Sequence, residues 1–245
     1  MTMKWSPDYL GSPGKMVLAK EYNTIDPNFD NVSLLLSGEG ANGSTTIIDS
    51  SNNNNVVTAV GDASISTAVA DPFGNSNAGV LAFDGAGDRL TVPSNTVFGF
   101  GTGDFTVETW VYWNSVAGAS IVVDFRAPAN TNYPMLWQSN GTLYYWTFGT
   151  GRIQISGLQI GTFYHVALSR SNGQSRLFVN GVQGGITYND TGDYGTSGAP
   201  NIGANYANQG YLNGYLSNLR ITKGVARYTA NFTPPTQPFF PGGAN

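Results

Sequence analysis

Glu108 stands inside the run Phe105-Thr-Val-Glu-Thr-Trp-Val-Tyr-Trp113, the place in this chain where a carboxylate could act on a sugar. Glycoside hydrolysis needs two facing carboxyl groups, ~5–5.5 Å apart for retention. Side chains alternate along a strand, so a second carboxylate from this strand would share the face of Glu108, whose neighbours there are two residues to either side. Thr106 and Trp110 hold those positions, so the pair is incomplete. Glu108 therefore reads as a partly buried residue bonded to a neighbouring strand or loop. His165 is the single histidine and no Gly-x-Ser-x-Gly elbow accompanies it. A nucleophilic triad needs a base beside a nucleophile and an orienting acid. No catalytic residue is assigned.

Two acid pairs could hold a cation. Asp84 and Asp88 flank the glycine-rich turn of FDGAGD, and Asp190 and Asp193 lie in YNDTGDYG. Calcium takes hard oxygens from carboxylates and backbone carbonyls. The competing reading is an Asx turn, with each Asp capping its own backbone. No other cofactor is expected.

The aromatics are the more suggestive set. Tyr133, Trp137, Tyr144, Tyr145, Trp146 and Phe148 fall within sixteen residues. Alternation puts Tyr144, Trp146 and Phe148 on one face of a strand, and Leu143 and Tyr145 on the other. One face is core; the other is a platform for sugar stacking or protein contact. Tyr188, Tyr194, Tyr206 and Tyr211 lie in loops rich in Gly and Asn, the chemistry of adaptable binding loops. These four, with Tyr144 and Trp146, are the expected glycan- or protein-binding residues, and the loop tyrosines are expected to be well exposed.

Strands must position all of this. Short β-prone runs recur: Val32–Leu36, Thr45–Ile48, Val56–Val60, Gly79–Phe83, Arg89–Val92, Phe105–Trp113, Ser120–Arg126, Met135–Gln138, Thr142–Phe148, Arg152–Ile155, Gly195–Ile202 and Leu216–Thr222. Tyr164 to Gly184 is a hairpin in which Asn180-Gly181 marks a tight turn. No amphipathic helix of convincing length interrupts them. The expectation is all-β, a two-sheet antiparallel sandwich.

Composition narrows the partners. Charged residues are 11% of 245, net charge is −4, and Gly numbers 32. Phosphate binding needs clustered Lys and Arg, whereas the arginines here are scattered from Arg89 to Arg227, so nucleic acid is not an expected partner. There is no cysteine, hence no disulfide framework and no thiolate site. No apolar run is long enough to span a membrane, and the first residues lack the apolar core of a signal peptide. Residues 1–31 differ from the rest, with Lys4, Lys15, Lys20 and three prolines, and read as an extended arm. Residues 32–240 are the domain and 241–245 a tail.

Five stretches in order, VSLLLSGEG, LAFDGAGDRLTVP, GDFTVETWVYW, the 164–184 hairpin and GYLSNLRITKGVARY, resemble the laminin G-like branch of the concanavalin A-like lectin jelly rolls. The resemblance covers about 32–240. It implies a jelly roll whose first and last strands lie side by side. It also implies glycan or protein binding more often than hydrolysis, since the E-x-D-x-E strand of the family's endoglucanases is reduced here to VETWV. Some such domains bind calcium. LRITKGVARYTANFTPP is similar to a terminal stretch of bacteriophage and marine bacterial proteins with this domain. The leading expectation is a non-enzymatic phage protein at the virion surface, a capsid decoration or a tail or fibre appendage, present in many copies. Its arm would contact other virion subunits through Trp5, Tyr9, Leu10 and Met16, and its jelly roll would grip host surface glycans. A freestanding lectin or adhesin is the alternative, and a glycan hydrolase the third reading.

Overall fold

The computed structural model describes residues 26–128 and 132–239. Its strands are β1 (Val32–Leu36), β2 (Thr58–Val60), β3 (Ser64–Ser66), β4 (Val80–Asp84), β5 (Arg89–Thr91), β6 (Phe105–Trp113), β7 (Ala119–Asp124) and β8 (Met135–Ser139). They continue as β9 (Thr142–Thr147), β10 (Thr150–Ser156), β11 (Phe163–Ser171), β12 (Gln174–Val179), β13 (Val182–Asn189), β14 (Asn201–Ile202) and β15 (Asn213–Lys223). Two 3-10 turns of three residues are the helical content among the described residues.

All pairings are antiparallel and form two sheets, the expected sandwich. The larger sheet runs β13-β12-β11-β6-β15-β4-β3, with β1 also on β15. The smaller runs β10-β9-β8-β7-β14-β5-β2. First and last strands do lie together, Val32 opposite Thr222 and Leu36 opposite Leu219. Phe105, Val107, Val111 and Trp113 point from β6 into a core shared with Leu136, Leu143 and Tyr145 of the smaller sheet. Hairpins turn on Asn140-Gly141, Asn172-Gly173 and Asn180-Gly181, each with positive φ at both residues, the geometry that matches strand twist.

Some local expectations change. Thr45–Ile48 is not a strand, and of the 195–202 run only Asn201–Ile202 forms a strand, with Gly198 in an isolated bridge to Asn95. β3 and β13 add to the expected set; β13 alternates poorly because much of it is exposed. The arm boundary at 31 moves. Asp26 forms ion pairs with Arg220 and Arg227, and Phe29, 6% exposed, packs with Val32, Leu35 and Phe239. Residues 26–31 are thus part of the domain, because burying one phenylalanine and one carboxylate ties them down. Trp5, Tyr9, Leu10 and Met16 lie outside the described residues.

The outer face of the larger sheet is covered as well. Residues 225–239 cross it, with Phe232 N–H donating to Gly181 O at 2.9 Å. Tyr228 stacks on Phe232 at 3.6 Å, and Phe232 meets His165 edge-on at 5.6 Å. That cover explains why β11 is buried on both faces from His165 to Arg170.

Candidate functional site

Glu108 lies under this cover with 0% exposure. One carboxylate oxygen accepts from Arg220 Nε at 2.9 Å and Nη2 at 2.8 Å. The other accepts from Tyr228 OH at 2.7 Å and lies 3.2 Å from His165 Nε2. Burial pushes its pKa up, but the Arg220 charge and the bonds from His165 and Tyr228 outweigh this and hold it at about 2. A general acid needs its proton near neutral pH, and this group has neither proton nor access. The tyrosine itself is shifted upward, by burial first and then by the adjacent carboxylate. Arg220 continues to Asp26 at 3.1 Å and lies 3.7 Å over the Phe239 ring. The cluster joins Asp26 and the segment from Arg227 to Phe239 to the central strands.

Asp84 and Asp88 converge, and Asp62 joins them; their carboxylate oxygens lie within 4.8 Å of one another. Asp88 is buried, and its two oxygens accept the backbone N–H groups of Asp62 at 2.8 Å and Asp84 at 3.0 Å. Asp84 accepts from Ala86 N–H. Burial, then the side-chain interaction with Asp62 and the Asp84 charge, raises the Asp88 pKa against the backbone N–H bonds that lower it. The hydrogen bonds are those of an Asx staple between two turns, and the three carboxylates are hard oxygen donors of the kind a divalent cation takes.

The second acid pair does not form a cation site. Asp190 is fully buried and accepts from Ser175 Oγ at 2.6 Å, Tyr145 OH at 2.8 Å and Tyr194 OH at 2.7 Å. Asp193 instead accepts from Gly195 N–H. Tyr194, expected in an exposed loop, has 0% exposure. Burial first, then the Asp190 charge, raises its pKa and keeps it neutral. The loop folds inward because a buried carboxylate must collect hydrogen-bond donors.

The aromatic strand behaves as alternation requires, up to Thr147. Leu143 and Tyr145 enter the core, while Tyr144 and Trp146 are half-buried on the outer face. Phe148 leaves that face, since it takes φ +50 in the turn and packs near Tyr194. Trp137 of β8 stands directly opposite Tyr144, and the rings stack at 4.8 Å and 22°. Trp146 meets Trp137 edge-on at 6.3 Å.

Beside the tryptophans lies a groove of about 260 Å³, whose lining includes Ile121, Arg126, Trp137, Trp146, Asn205 and Gln209. Arg126 is held in place by the buried Asp124, with Nε–Oδ1 at 2.8 Å and Nη2–Oδ2 at 3.0 Å. Tyr206 packs its ring 5.2 Å from the Arg126 guanidinium, and its N–H donates to Asp124. Tyr206 and Tyr211 are half-buried rather than well exposed, and Tyr188 packs against the core under Arg152. The rings and fixed polar groups thus come together at a tryptophan groove with Tyr206 beside Arg126, while Tyr188 and Tyr194 turn to the core. Arg126, Asn205 and Gln209 carry no sequence signal for this role, because only sheet pairing brings 205–210 beside β7 and β8. Apolar rings with a few fixed polar groups are the usual make-up of a small-ligand site.

Residues 84–227, well over half of the 245, match a laminin G-type family model described as the concanavalin A-like lectin/glucanases superfamily. No curated protein matches the chain. The receptor-binding domain of botulinum neurotoxin D superposes with a TM-score of 0.61 at 13% identity, over 81% of this chain and 50% of that one. A mosaic serotype C/D receptor-binding domain gives 0.57 at 13% identity, over 81% and 49%. The type G receptor-binding domain gives 0.57 at 11% identity, over 80% and 48%. The chain thus spans about half the length of these structures, and the likeness is one of fold.

Proposed function

This chain belongs to the concanavalin A-like lectin/glucanases superfamily, and from that premise we propose that it is a non-enzymatic carbohydrate-binding module of the virion surface. The observation that carries the binding part is the groove in which Trp137 and Trp146 meet an arginine fixed by a buried aspartate. Indole rings take the apolar face of a sugar, and Arg126, Asn205 and Gln209 supply donors and acceptors around it. The neurotoxin neighbours are named as receptor-binding domains, which agrees with recognition rather than turnover. The non-enzymatic part is supported by Glu108, sealed beneath Tyr228 and neutralised by Arg220.

The virion part rests on LRITKGVARYTANFTPP and on the separate composition of the first residues. A single weak site of ~0.1–1 mM, about 4–5.5 kcal/mol, becomes useful when displayed in many copies. A freestanding lectin or adhesin would use the same groove without an assembly contact.

The test is a glycan array probed with the wild type, Trp137→Ala and Trp146→Ala. Loss of binding in both variants, with melting temperatures near wild type, is expected. Binding that survives both substitutions would place the site elsewhere.

A further inference from the structure

The groove beside Arg126 does not end at Trp137. Tyr144, stacked on that ring, opens a second groove of about 350 Å³ whose lining includes Gly151, Arg152, Gln154 and Ile186. The register explains the continuity. Ile121, Trp137, Tyr144 and Gln154 lie in line across β7, β8, β9 and β10. At ~4.8 Å per strand this row is about 14 Å long, more than one sugar ring covers. Gly151 pairs with Trp146, and even a Cβ there would touch Tyr144 and Trp146 at 3.7 and 3.8 Å. Its missing side chain keeps the track between the grooves open. Ile186, 74% exposed, forms an apolar wall at the far end.

The charge on this face has one sign. Between Ser115 and Ile160 the only acid is Asp124, buried and already paired with Arg126. Arg152 has no acidic partner among the described residues. Its Nε donates to Thr147 O at 3.2 Å and its guanidinium lies 4.9 Å over the Tyr188 ring. These contacts orient the cation without neutralising it, in a protein of net charge −4. A guanidinium held over a ring is suited to a carboxylate.

We propose that the ligand is an extended acidic polysaccharide, lying across β7 to β10 with a carboxylate on Arg152. This deepens the carbohydrate-binding reading and rests on it.

The test measures binding to polygalacturonate, alginate, hyaluronate and polysialate, to their carboxyl-reduced forms, and to a panel of neutral and of phosphorylated glycans. At least one carboxylated polymer should bind. Carboxyl reduction and Arg152→Gln should each weaken it at least tenfold, with Arg152→Lys, which keeps the charge but loses the planar fork, falling between wild type and Arg152→Gln. Gly151→Val, which fills the track, should reduce a hexasaccharide to the affinity of a disaccharide. The free monosaccharide should compete at least a hundredfold more weakly than the hexasaccharide. Melting curves establish that each variant is folded. Binding restricted to neutral or phosphorylated glycans, indifference to Arg152→Gln, or equal competition by the monosaccharide would overturn this proposal while leaving a carbohydrate-binding module. Absence of binding to every glycan tested would overturn both.

Discussion

Glu108 on β6 and Arg220 on β15 sit at the same rung of the ladder, with two guanidinium nitrogens 2.8 and 2.9 Å from one carboxylate oxygen. The pairing turns a would-be catalytic strand into a structural hub. Arg220 hands the link to Asp26, Asp26 to Arg227, and Tyr228 closes over the carboxylate. The motif RITKGVARY is thus a latch whose arginines and tyrosine meet partners some hundred or more residues away.

Glu108→Gln leaves Arg220 buried beside a neutral group. Breaking a buried pair by removing one partner costs about 3–5 kcal/mol. For a domain of this size that is roughly 6–20 °C in melting temperature. Calorimetry should show a drop in that range, with no hydrolase activity to lose in either protein. An unchanged melting temperature would contradict the hub.

The same carboxylate sets an acid limit. Its folded pKa of about 2 lies below the ordinary value of 4.5. The stability it contributes is therefore complete above pH ~4.5 and disappears as pH falls toward 2. The amount is on the order of 3 kcal/mol. Asp26, whose pKa is also lowered, acts in the same direction: burial opposes this, and the bonds and charges of Arg227 and Arg220 prevail. Urea midpoints should fall between pH 4.5 and 2 in the wild type, and fall less in Glu108→Gln.

Calcium should stabilise the protein through Asp62, Asp84 and Asp88. A ligand at 100 times its dissociation constant adds about 2.7 kcal/mol. The melting temperature should rise with added calcium, and Asp62→Asn with Asp84→Asn should abolish the rise. Asp88→Ala should destabilise the protein even without calcium, because it strands the N–H groups of Asp62 and Asp84. No calcium response in the wild type would reduce the trio to a turn staple.

Two truncations separate arm from domain. Removal of residues 1–25 should leave the melting temperature within ~2 °C and abolish particle attachment. Removal of 1–31 should cost several degrees more, because Asp26 and Phe29 go with it. Equal effects of the two on stability would show that 26–31 contribute nothing to the fold.

Local chemistry is legible in the order of residues. Alternation locates β6 to the residue and puts Tyr145 in the core with Tyr144 and Trp146 outside. Asn-Gly at 140–141, 172–173 and 180–181 marks hairpin turns, since that backbone tolerates positive φ, although Asn213-Gly214 opens a strand. Thr106 and Trp110, the same-face neighbours of Glu108, show on residue type alone that this strand lacks a second carboxylate beside it. These properties depend on a residue and its near neighbours, and near neighbours are what a sequence displays.

The tertiary structure decided everything that depends on who lies across the gap. Tyr194 and Tyr206 occupy similar Gly/Asn-rich loops, yet a buried Asp190 draws one fully inward and Asp124 with Arg126 holds the other at the groove edge. The three aspartates at 62, 84 and 88 meet only because β3 pairs with β4 and β2 with β5. Arg126 and Arg152 are twenty-six residues apart in sequence, and only the β7-β8-β9-β10 row makes them the two ends of one track. Strand order and side-chain burial are set by the summed packing of two whole sheets, a long-range balance that no single stretch of the chain contains.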